Sequence, residues 1–71
     1  MRSRDEHLAW CKERALEYWR AGALSDAVAS MGSDLDKHPG TGTNAALMAL
    51  AMRYLIDHDA DGVKRWIEGF R

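Results

Sequence analysis

Three aspartates, a glycine and a glutamate near the end of this chain of 71 residues have the spacing of a cation-chelating loop. Asp57, Asp59 and Asp61 alternate with His58 and Ala60, Gly62 follows, and Glu68 closes the pattern. In a calcium loop the aspartates supply hard oxygen ligands, Gly62 makes the sharp turn, Val63 offers its carbonyl and Glu68 closes the site as a bidentate ligand. The same residues have a plainer use. Asp59 and Asp61 cap a helix that starts beside them and complement its dipole, leaving Glu68 exposed near Lys64. The two uses exclude each other, because a long chelating loop delays the helix start while the capping use needs Val63 and Ile67 already helical. Helix capping is the leading reading and a calcium cofactor the alternative; otherwise no cofactor is expected.

Other chemistry is thinner. His7 and Cys11 stand four residues apart, so a helix puts them on one face, but two ligands do not make a metal site. Cys11 lies among apolar neighbours and reads as a small packed hydrophobe rather than an activated nucleophile. Gly40-Thr41-Gly42-Thr43 precedes a helix yet lacks the lysine of a phosphate loop. An enzyme is not expected. One cysteine permits no internal disulfide, which suits a reducing cytosol.

Trp10, Trp19 and Trp66 are more informative, because a chain this short has little room to bury three indoles together with Met48, Met52, Phe70 and two tyrosines. Tryptophan offers large contact area with few torsions to freeze, and methionine packs adaptably. Trp10, Trp19, Met48, Met52 and Trp66 are therefore the candidate partner-binding residues. The plainer expectation leaves the indoles half-buried at the rim of a small core.

Four helices must position these groups. Ser3 and Glu6 form a capping box, after which Leu8, Cys11, Ala15, Tyr18 and Trp19 recur at helical intervals as far as Gly22. Ser25 is the expected cap of a second helix carrying Leu24, Ala27, Val28, Met31 and Leu35, and Pro39 with its glycines ends that segment. Thr41 or Thr43 is the expected cap of the third, Ala45 to Ile56, whose apolar residues on nearly every side predict the most buried, central helix. The fourth places Val63, Trp66, Ile67 and Phe70 on one face. The fold class is all-α: one domain over residues 1–71, with two antiparallel helical hairpins at 4–38 and 44–70 joined by a loop at 39–43.

An offset of about 36 residues aligns Ala15 with Ala51, Tyr18 with Tyr54, Ala27 with Val63 and Met31 with Ile67. The first half thereby resembles one tetratricopeptide unit, in degenerate form, with His58 standing where the first half has its turn glycine, Gly22. A second resemblance covers most of the chain. His7 to Tyr18, Ala27 to Met31, Ser33-Asp34-Leu35, Lys37-His38-Pro39 and Ile67-Glu68-Gly69-Phe70 look like small uncharacterised proteins encoded by bacteriophages of actinobacteria. That resemblance implies an accessory protein acting in the host cytoplasm, and it brings no catalytic residue or cofactor with it.

Charge narrows the partners. A formal net charge of −1, with both signs mixed along the chain, gives no field to gather polyanions. Nucleic acid is not indicated unless Arg14, Arg20 and Arg53 converge on one side, and the basic start at Arg2 and Arg4 is offset by Asp5 and Glu6. No apolar run approaches the roughly 20 residues of a membrane span, and the first residues lack a signal peptide's apolar stretch. The expectation is a non-enzymatic module that binds a protein partner or a second copy of itself, away from membranes.

Overall fold

Ser3 opens the first helix by accepting a hydrogen bond from the Glu6 N–H onto its hydroxyl at 3.2 Å. In the computed structural model, which describes residues 3–71, four helices follow: α1 (Arg4–Arg20), α2 (Leu24–Leu35), α3 (Ala45–Ile56) and α4 (Ala60–Glu68). Arg2, half of the basic start, lies outside the described residues. Consecutive helices pack on each other, and α1 with α2 makes the most extensive contact in the molecule.

Both hairpins turn by one device. Gly22, at φ 79°, follows the end of α1, its N–H bonding the Trp19 carbonyl while the Ala23 N–H bonds that of Tyr18. His58, at φ 52°, follows the end of α3, its N–H bonding the Leu55 carbonyl while the Asp59 N–H bonds that of Tyr54. Each is a Schellman motif, in which a left-handed residue lets two amides reach back to orphan carbonyls. Three of the four aligned pairs of the sequence repeat agree with this equivalence, Ala15 and Ala51, Ala27 and Val63, and Met31 and Ile67 all being fully buried, while Tyr18 is exposed and Tyr54 half-buried.

The caps of α2 and α3 differ from expectation. Ala23 rather than Ser25 occupies the cap position of α2, and no side chain bonds there. Asn44 caps α3, accepting from the Leu47 N–H at 2.9 Å. Thr41 works on the preceding helix, its hydroxyl donating to the Leu35 carbonyl at 2.5 Å, where α2 ends. The half-buried Thr43 has its hydroxyl oxygen enclosed, with no hydrogen-bond partner for it among the described residues. Asparagine is among the best N-caps, and the threonines were simply too far upstream.

The core joins Leu8, Cys11 and Ala15 of α1, Ala27, Val28, Met31 and Leu35 of α2, and Val63, Trp66 and Ile67 of α4. From α3 it takes Ala51 alone among the described residues. The expectation of a central third helix is therefore corrected: α3 touches α2 and α4 but not α1, whereas α2 and α4 each meet all three other helices. In a stack of two like hairpins α1 would lie along α3. Contact of α4 with α1 instead closes the chain into a four-helix bundle. Side chains of α1 fasten that closure, Lys12 Nζ donating to the Glu68 carbonyl at 3.0 Å and Arg4 to the carbonyls of Gly40 and Arg71.

Candidate functional site

The acidic segment is built as a helix entrance. Asp57 is the C-cap of α3 and pairs with Arg53 at 3.1 Å. Asp59 is the N-cap of α4, its carboxylate accepting from the Gly62 N–H at 2.9 Å. Asp61 is exposed in the first turn, Val63 is fully buried with its N–H on the Asp59 carbonyl, and Glu68 ends the helix on the surface. The residues of the calcium alternative, Asp57, Asp59, Asp61, Val63 and Glu68, are thus spread over the end of α3, the turn and α4, with coiling resumed at Ala60. Gly62 has a packing reason instead. A Cβ there would stand 2.4 Å from a ring carbon of Tyr54 and 2.6 Å from an Asp59 carboxylate oxygen, so glycine lets α3 and α4 approach.

His7 and Cys11 do meet, with the Cys11 Sγ 3.4 Å from His7 Nε2. That nitrogen is also 2.7 Å from the Asp34 carbonyl, which only accepts, so Nε2 carries its hydrogen and donates. It is no base for the thiol. Burial pushes the Cys11 thiol above its ordinary range, and the charge of Asp34 adds to the shift. Both effects disfavour the thiolate, the form in which a cysteine attacks or binds metal. Among the described residues no cluster of three or more metal-ligating side chains occurs.

One charged group sits deep between α1 and α2. Asp34 is 2% exposed, and its carboxylate accepts from Arg14 Nε at 2.8 Å, Lys37 Nζ at 3.0 Å and the Ser30 hydroxyl at 3.3 Å. Burial alone would raise this carboxyl. The bonds from Lys37 and Arg14 outweigh that and hold it below the usual carboxylate range. Both cations also lie over the Trp10 ring, at 4.9 Å for Arg14 and 5.6 Å for Lys37. A polar hollow of about 440 Å³ opens above Asp34, but its cations are already engaged. Arg20 pairs with Glu13 on α1, and Arg53 with Asp57 at the end of α3.

The indoles are used inside the fold. Trp66 is 6% exposed and donates to the Leu47 carbonyl at 3.0 Å. Trp19 is half-buried, donates to the Ala60 carbonyl at 2.8 Å and lies under Lys64. Trp10 is half-buried under its two cations, Met48 is half-buried against Gly32, and Met52 is the exposed member of the five. Sequence reasoning missed the surface that is open, which is aliphatic. Ile56 is 70% exposed, Met52 52% and Leu50 44%, all on α3. With Ala45, Ala46 and Ala49, also exposed, they give this helix an outer side on which Arg53 is the one charged residue. Beside it a groove of about 550 Å³ runs between α3 and α4, floored by Leu47, Leu50, Tyr54, Trp66 and Phe70 and edged by Arg65 and Arg71. The signal was present in the all-round apolar character of Ala45 to Ile56, which fits an incompletely covered helix as well as a buried one.

Comparison with protein-family models, curated proteins and solved structures found no match to this chain. Among the described residues no helix is long and apolar enough to cross a membrane.

Proposed function

We propose that the chain is a non-enzymatic protein-interaction module that docks through α3. One observation carries this reading: a helix of twelve residues, almost all apolar, buries a single residue and turns Leu50, Met52 and Ile56 outward. Monomeric soluble proteins rarely leave such a continuous apolar strip uncovered, and covering it is favourable at about 25 cal/mol per Å². The groove beside Leu50 continues the strip toward the buried Trp66 and the half-buried Phe70, which gives both aromatics a share in the floor. The resemblance to small actinobacteriophage proteins directs the search for a partner to the host cytoplasm. The test is affinity capture from an actinobacterial lysate, read by mass spectrometry, with wild type, Ile56→Glu, Leu50→Asp and, on α1, Tyr18→Ser. The expected result is a protein retained by wild type and Tyr18→Ser and lost with the two α3 variants. Identical captures by all four, with no self-association either, would remove this function.

A further inference from the structure

The outer side of α3 has a pattern that selects its own occupant. Ala45, Ala49, Met52 and Ile56 follow at steps of four, three and four residues, the seam spacing of two packed helices, and all four are exposed. The seam is graded, with alanines in its first half and large side chains in its second. A parallel copy would set alanine on alanine and leave a void. An antiparallel copy sets Ile56 against Ala45 of the second copy and Met52 against Ala49 of the second copy, and a twofold axis repeats both contacts. Charge agrees with this arrangement. Asp57, which follows the seam on its flank and is paired with Arg53, comes at the level of the N-terminus of the copy's α3, where the helix dipole favours an anion. With a formal net charge of −1 the two chains barely repel.

We infer that α3 pairs with α3 of a second copy, antiparallel and about a twofold axis; this deepens the proposed function and rests on it. A helix of about 18 Å covers much less than the roughly 800 Å² per partner of a standard interface, so the dimer is weak and reversible. The test is sedimentation velocity from micromolar to millimolar protein on wild type, Met52→Lys, Ala49→Glu and an equimolar mixture of the two variants. Both positions are exposed, so circular dichroism should show unchanged folding. The expected result is a wild-type mass rising toward the dimer, each variant alone staying monomeric, and the mixture re-associating as the new opposite charges face each other. A wild type that stays monomeric at millimolar concentration overturns the inference, and a mixture that fails to re-associate overturns the antiparallel pairing. Should wild type be monomeric while lysate capture still depends on Ile56, the docking role of α3 stands with a different partner; loss of both results removes both.

Discussion

Asp34 shows how one residue ties several parts together. A buried carboxylate is costly to desolvate, and here three donors, two of them cations, offset that cost. Its folded pKa is lowered, so its contribution to stability is present above the unfolded value, about 3.9, and fades as the pH falls through the lower folded value. Asp34→Asn should therefore lower stability at neutral pH by about 1–3 kcal/mol. Thermal melts between neutral and strongly acidic pH should show wild type losing stability as it is acidified, with a shallower loss in the variant. Equal acid slopes would show that Asp34 contributes nothing to acid sensitivity. The position was unreadable beforehand because Arg14 is far from it in sequence, and only the pairing of α1 with α2 brings the guanidinium to it.

At the scale of elements, the equivalence of the two hairpins is the strongest agreement between sequence and fold. Left-handed backbone costs a residue with a Cβ roughly 1–2 kcal/mol, so His58→Gly should raise the melting temperature, and Gly22→Ala should lower it by a comparable amount. Opposite changes at two aligned positions, followed by calorimetry, test whether both turns obey one rule. The start of α4 is tested separately. Gly62→Ala adds a helix-favouring residue yet drives its methyl group into Tyr54, and overpacking of this kind costs about 1–3 kcal/mol. Calcium added to chelator-treated protein should produce no heat and no shift in melting temperature; a measurable shift abolished by Asp57→Ala would reinstate the chelating loop.

Across the whole molecule, the buried core and the exposed apolar residues of α3 are distinct sets. The core of α1, α2 and α4 centres on Met31, Leu35, Val63 and Ile67, all essentially without exposure. A domain of this size has little stability in reserve, rarely more than about 3–5 kcal/mol from one core. Ile67→Ala, at a typical cost of about 2–5 kcal/mol, should abolish cooperative melting. Ile56→Ala should leave the melting temperature of the monomer nearly unchanged, within about 0.5 kcal/mol. Thermal denaturation of the two variants measures directly whether α3's isoleucine belongs to the surface and α4's to the core.

Much of the architecture was legible from residues alone. Helical spacing, the Ser3 cap, Gly22 and the 36-residue offset are local or periodic signals, and local hydrogen bonding and side-chain period decide where a helix runs and turns. Which helix becomes central was not legible. The apolar run of α3 and the amphipathic face of α4 both offer surface to bury, and periodicity does not say which of them α1 will take. Tertiary packing decided it by setting α2 and α4 each against all three other helices and leaving α3 without contact to α1. That choice drew the tryptophans inward, where backbone carbonyls accept the indole hydrogens of Trp19 and Trp66, and left the aliphatic side of α3 facing outward.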